Sequence, residues 1–155
     1  ATGAVFEWRS DRFALELGRR LVRHGGVALL IDYGHTQSGL GDTLQAVAGH
    51  GYADPLAAPG AADLTAHVDF EALTHAVESL GARTHGPLTQ GAFLTRLGIE
   101  VRAARLKTGK DADAARAIDT ALMRLIGSGR AEMGELFKVI AFSHPTLRTL
   151  PGFES

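Results

Sequence analysis

Five consecutive apolar residues, Val27-Ala28-Leu29-Leu30-Ile31, set between Gly25-Gly26 and Asp32, constrain the fold of this chain most. A run without alternation reads as a strand covered on both faces, the habit of interior strands in parallel sheets. It calls for a neighbouring strand on each side and packed layers above and below. The run falls far short of the roughly twenty residues that cross a bilayer. No signal peptide is visible either, so an intracellular chain with no membrane partner is expected. A length of 155 residues corresponds to one domain, able to hide roughly 70% of its unfolded surface. Sixteen Lys and Arg against seventeen Asp and Glu leave a net charge of −1. That balance is too even for a surface that tracks phosphates, so nucleic acid is not an expected partner. The lack of cysteine excludes disulfides, thiolate metal sites and a thiol nucleophile.

Around the apolar run the pattern alternates. Ser10 can cap a helix whose Phe13, Leu17 and Leu21 share a face and which Gly25-Gly26 ends. Gly34 to Ala62 reads as a long loop rich in Gly, Asp, Ala and Pro, with a short strand over Thr43 to Val47. Asp69 caps a second helix carrying Phe70, Leu73, Val77 and Leu80, stopped by Gly81. Ala82 to Leu88 is predicted as a strand, and Thr89 caps a helix through Phe93, Leu94 and Leu97 that Gly98 closes. Helices follow over Ile99 to Leu106 and Ala112 to Ile126, the second with an apolar stripe of Ile118, Leu122, Leu125 and Ile126. Glu135 to Phe142, six apolar residues of eight, reads as a buried strand, and Pro145 and Pro151 predict an extended tail. Helices and strands in this order make an α/β domain. Three core strands are fewer than the usual number, about four to six. The simplest account is a sheet with one flank missing, in a chain that also opens at Ala1 without an initiator Met.

Asp32-Tyr33-Gly34-His35 stands where the first strand meets the long loop, and ligands of open α/β sheets bind beyond the carboxyl ends of strands. A plainer reading of the same residues has Asp32 capping a turn and Gly34 supplying a positive φ. In Asp63-Leu64-Thr65-Ala66-His67-Val68-Asp69, an extended backbone would place Asp63, Thr65, His67 and Asp69 on one face. Such a set, with His35, His50 and Asp32, could serve a hydrolytic metal site. No His-x-x-x-His pair supports that idea, and Asp69 has a competing role as a helix cap, so no metal is expected. Gly39-Leu40-Gly41 lacks the third glycine and the strand–turn–helix context of a nucleotide loop. His24, His75 and His144 read as surface or capping residues, and Trp8 as a packing anchor.

Five stretches together resemble the C-terminal half of the MidA family of S-adenosylmethionine-dependent methyltransferases. They are GGVALLIDYGH at 25–35, GDTLQAVAGH at 41–50, DPLAAPGAADLTAHVDF at 54–70, GPLTQGAFLTRLGIEVR at 86–102 and MGELFKV at 133–139. The resemblance implies a seven-stranded Rossmann-like sheet. Val27 to Ile31 would be its fifth strand, Ala82 to Leu88 the sixth and Glu135 to Phe142 the seventh, with residues 89–130 a helical insertion in a single partial domain. It implies methylation of a protein arginine, with a subunit of respiratory complex I as the candidate substrate. A cytoplasmic location follows, or the mitochondrial matrix for the eukaryotic relatives. S-adenosyl-L-methionine would be bound mainly by an N-terminal half that this sequence lacks, so no cofactor-binding residue is expected here. On that footing the catalytic candidates are Asp32, Tyr33, His35, Asp63 and His67, and the substrate-binding candidates are Gly34, Thr65 and Asp69. Asp32 and Asp63 would grip a guanidinium, which presents a fixed fork of donors. His35 or His67 would take the proton. The competing reading is a non-catalytic assembly module that docks, or forms a homodimer, through an exposed sheet edge.

Overall fold

A computed structural model describes Glu7 and residues 11–49, 51–129 and 131–154. Ser10, Trp8 and His50 lie outside the described residues. The first helix, α1 (Arg12–His24), buries Ala14, Gly18 and Leu21, while Phe13 is 63% exposed. Of the expected line, Leu21 is buried and Leu17 packs on the core, while Ala14 takes the place foreseen for Phe13. Gly25 closes α1 with φ 77°, a conformation that favours glycine.

The strand that follows, β1 (Val27–His35), runs four residues further than the apolar core alone suggests. Next come β2 (Gln45–Ala48), β3 (Gly51–Ala53), β4 (Asp63–Thr65) and β5 (Val68–Asp69), then α2 (Phe70–Glu78) and β6 (Arg83–Thr89). Three helices, α3 (Gln90–Arg96), α4 (Ile99–Lys107) and α5 (Ala112–Ile126), separate β6 from β7 (Phe137–Ser143). Four strands form one mixed sheet in the order β5-β1-β7-β6, and β3-β2-β4 form a small second sheet. The expected long loop is therefore partly ordered, and the fold is α/β with more strands than the three predicted.

Pairing corrects the parallel reading of β1. It lies antiparallel to β7 from Val27↔Ser143 to Tyr33↔Phe137 and meets β5 in parallel only at Gly34↔Val68 and His35↔Asp69. Among the described residues its outer edge from Val27 to Tyr33 carries no strand. Nor are both faces covered. Ala28 and Leu30 pack with Leu21, Phe70, Val77, Ile140 and Phe142 beneath α1 and α2. Val27, Leu29 and Ile31 on the other face are 47–50% exposed. The interior position belongs to β7, whose Val139, Ile140, Ala141, Phe142 and Ser143 are all fully buried. Hydrophobic composition gave both strands the same reading, but only β7 has layers on both sides.

The second face of β6 and β7 is closed by α3 and by the C-terminal segment, which docks and turns where an extended tail was predicted. Phe153 packs at a tilt against Phe93 at 5.1 Å and against His85 at 6.1 Å. Beside them the buried Gln90 side chain donates to the Leu125 carbonyl at 2.8 Å, capping the end of α5. His85 is buried and exchanges a 2.9 Å hydrogen bond with Ser143 Oγ. Desolvation, then the Arg83 charge, push its pKa below the usual 6.5. Only the unfolded chain binds this proton just below about 6.5, so His85 costs stability as pH falls from there through its lowered folded value. The urea midpoint should drop between about pH 7 and pH 5, and His85→Gln should remove that share of the drop. An unchanged pH slope in the variant would refute the assignment.

Candidate functional site

The carboxyl end of β1, the loop after it and the start of α2 enclose a cavity of about 830 Å³. Glu7, His35, Gln37, Ser38, Thr43, His67 and Asp69 contribute its polar lining, and none of its described lining residues is Lys or Arg. Each is placed by backbone geometry. Because β1 continues through His35, its pleat divides the Asp-Tyr-Gly-His run. Asp32 and Gly34 follow Ala28 and Leu30 toward the helices, and Tyr33 and His35 take the opposite face. Tyr33 packs edge-on against His67 at 5.7 Å and Phe137 at 5.8 Å.

Asp69 joins β5 to α2. Its Oδ1 accepts from the Ala72 amide at 3.0 Å, capping the helix as its sequence position predicts. Its Oδ2 accepts from Ser38 Oγ at 2.7 Å and stands 3.5 Å from His35 Nε2. Burial works to raise the Asp69 pKa, but the Ala72, Ser38 and His35 contacts outweigh it and hold the carboxyl below its usual value. The group therefore stays ionised at neutral pH, and its stabilisation is lost as pH falls below about 3.8 through the lowered folded value. Ser38 N also donates to Glu71 Oε2 at 2.7 Å, pinning the loop to α2. Across the cavity Thr43 N and Oγ1 donate to Glu7 at 2.9 and 2.6 Å, and the His67 amide donates to Thr43 Oγ1 at 3.1 Å.

Of the expected site residues, the structure brings His35, His67 and Asp69 to one cavity, and Tyr33 packs against His67 without lining it. It does not bring Asp32 and Asp63 together. Asp32 takes the Tyr33 amide on Oδ1 at 2.8 Å and lines a neighbouring, mainly apolar groove with Phe13, Leu29 and Ile31, which meets the cavity at Asp69 and Ala72. Asp63 is exposed on β4 and Thr65 half-buried, in the small sheet. The single extended face drawn through Asp63, Thr65, His67 and Asp69 is broken at Ala66-His67, where the chain leaves one sheet for the other. Gly34 has no positive φ; its role is the close approach of Val68. Sequence reasoning missed Glu7, Ser38, Thr43 and Glu71. Thr43 lies in one of the family-like stretches, but nothing local marks Glu7, whose partner is 36 residues away. Among the described residues no three His, Asp or Glu side chains gather as metal ligands, and no helix is long and apolar enough to cross a membrane.

Residues 4–88, more than half of the chain, match the family model described as "Putative S-adenosyl-L-methionine-dependent methyltransferase". The chain belongs to that family. A protein arginine methyltransferase NDUFAF7 homolog, mitochondrial, of Drosophila melanogaster is 45% identical over 91 residues, which are 58% of this chain and 21% of the relative. Protein arginine methyltransferase NDUFAF7, mitochondrial, of Mus musculus is 46% identical over 87 residues, 56% of this chain and 20% of that protein. This family member thus spans about a fifth of these curated relatives. A crystal structure from Burkholderia thailandensis, bound to S-adenosyl-homocysteine, superposes with a TM-score of 0.77 at 34% identity, over 92% of this chain and 38% of that one. S-adenosyl-L-methionine is the cofactor of the family. The cavity's carboxylates and imidazoles suit a cationic guest, whereas no glycine-rich strand–turn–helix cradle occurs among the described residues.

Proposed function

We propose that this chain is the C-terminal, acceptor-side part of a methyltransferase that modifies arginine on a protein, the cofactor being held mainly by residues N-terminal to it. The observation that carries the proposal is the convergence of His35, His67 and an ionised Asp69 on one cavity without Lys or Arg in its described lining. Such a lining favours a guanidinium over an anion. Two further observations support it. The strand order β1-β7-β6, with β7 antiparallel, suits the fifth, seventh and sixth strands of the seven-stranded sheet. The curated relatives are named arginine methyltransferases.

S-adenosyl-L-methionine supplies a methyl group on a sulfonium. The rate of such a displacement comes chiefly from holding donor and acceptor in line. This chain would hold the acceptor side. The acidic lining draws in the cation, Tyr33 supports His67 from its edge, and an imidazole receives the proton. A subunit of respiratory complex I remains the candidate acceptor.

The test compares this chain alone with the same chain preceded by the rest of its polypeptide. Titration calorimetry should detect no S-adenosyl-L-methionine binding to the chain alone. The longer protein should bind it and leave a methyl mark on arginine, read by mass spectrometry on an arginine-bearing protein. A mark on another residue type would overturn the arginine reading. The second reading, an assembly module or homodimer, is favoured by the bare edge of β1 and by exposed Val27, Leu29 and Ile31. On it, the longer protein would capture a partner through that edge and leave the partner unmethylated.

A further inference from the structure

Resting on that reading, we infer that Asp69 is a positioning residue which fixes the imidazole of His35 as a proton acceptor. Both oxygens of the carboxylate have fixed partners within the protein. Oδ1 is taken by the Ala72 amide at 3.0 Å, and Oδ2 by Ser38 Oγ at 2.7 Å with His35 Nε2 at 3.5 Å. An ionised carboxylate only accepts hydrogen bonds, so the ring nitrogen that faces it is the one bearing hydrogen. Nε2 of His35 then carries the proton, and Nδ1 keeps its lone pair as the basic atom. His67 has a different environment. Its ring lies against the edge of Tyr33, and its backbone amide is tied to Thr43.

The proton balance gives this arrangement a use. Methylation of a guanidinium nitrogen forms one N–C bond, leaves the C–S pair on sulfur and releases one proton from that nitrogen. Nδ1 of His35 would receive it, and the imidazolium so formed would be stabilised by the Asp69 charge. Register is what makes the pair rigid. His35 and Asp69 are partners on the last rung of the β1–β5 ladder, and Asp69 caps α2, so strand and helix together set their separation. The other titratable groups facing His35 across the cavity are His67 and Glu7, with Glu71 behind Ser38.

Asp69→Ser separates orientation from structure, since Ser caps a helix about as well as Asp. Asp69→Asn serves as a second variant with an equally good cap. Long-range proton–nitrogen spectra of this chain at about pH 8 report which ring nitrogen of His35 bears hydrogen. The wild-type chain should show Nε2–H. Asp69→Ser should raise the Nδ1–H fraction several-fold at an unchanged circular dichroism spectrum. Hydrogen on Nδ1 in the wild type, or identical ratios in both chains, would overturn the inference. In the full-length protein the same variant should lower kcat about a hundredfold, leave the acceptor KM within about twofold and shift the acid limb of the kcat profile. An unchanged kcat would also overturn it. If the wild type methylates no arginine, the proposed function fails by itself, and the tautomer result still decides the link between Asp69 and His35.

Discussion

Replacing Gly34 by Ala should unfold the end of β1 and destabilise the chain by about 3 kcal/mol, an effect of the overpacking kind. A Cβ at Gly34 would stand 2.9 Å from Val68 C and N, and nearer still to the Val68 carbonyl oxygen. These are backbone atoms, which cannot swing aside as a side chain does. Gly34↔Val68 is one of two rungs joining β1 to β5, and the other is His35↔Asp69. Forcing the strands apart therefore also separates the imidazole from its carboxylate. Amide exchange at Val68 and Asp69 should accelerate along with a lowered urea midpoint. Gly39→Ala is the control, because a Cβ there meets nothing within 4 Å and should cost less than about 0.5 kcal/mol. Equal midpoints for the two variants would refute the steric account of Gly34.

The same residue marks a limit of what the sequence makes legible. Gly34 follows a strand and precedes a loop, so a positive φ is the natural reading, yet the constraint comes from Val68, 34 residues away in the chain. Helix starts were readable because their determinants are local. Asp69 and Thr89 each accept from the amide three residues ahead, at 3.0 and 3.2 Å. The α5 bounds, Ala112–Ile126, agree with the periodicity for the same reason. Sheet properties were not readable. Whether β1 runs parallel or antiparallel to its neighbour depends on β7, more than a hundred residues later. The alternation through Asp63 to Asp69 gave a false common face because it assumed one unbroken strand.

The candidate site divides along the same line. His35, His67 and Asp69 were visible as polar groups at the end of a strand and before a helix. Ser38 and Glu7 come to the cavity through contacts spanning 31 and 36 residues, and no local pattern announces them. Asp32 and Asp63 stand in different sheets, β1 in the four-stranded one and β4 in the small one, and no local pattern shows that division. The exposed Val27, Leu29 and Ile31 carry a further message. Their composition is that of a covered face, and the described residues of this chain do not cover it.

Truncating Phe70 to Ala should cost about 3–5 kcal/mol, the range for emptying an aromatic site in a core. Phe70 is fully buried in the cluster formed by Ala14, Leu21, Val77, Ile140 and Phe142, where α1 and α2 meet the sheet. Neighbours from two helices and a strand cannot all collapse into the gap, so most of the cavity should persist. Natural domains have only about 5–15 kcal/mol in hand, so this single change should leave the chain marginal at 25 °C. Its position ties the core to the site. Phe70 is the first residue of α2, directly after the capping Asp69. Loosening it frees the helix start that holds Asp69 against Ser38 and His35. Protection of the Ala72 amide should fall in the variant even under conditions where it remains mostly folded. Phe13→Ala provides the contrast: that ring is 63% exposed, and its loss should cost less than about 1 kcal/mol. Comparable losses from the two truncations in urea denaturation would mean that the core is not centred on Phe70.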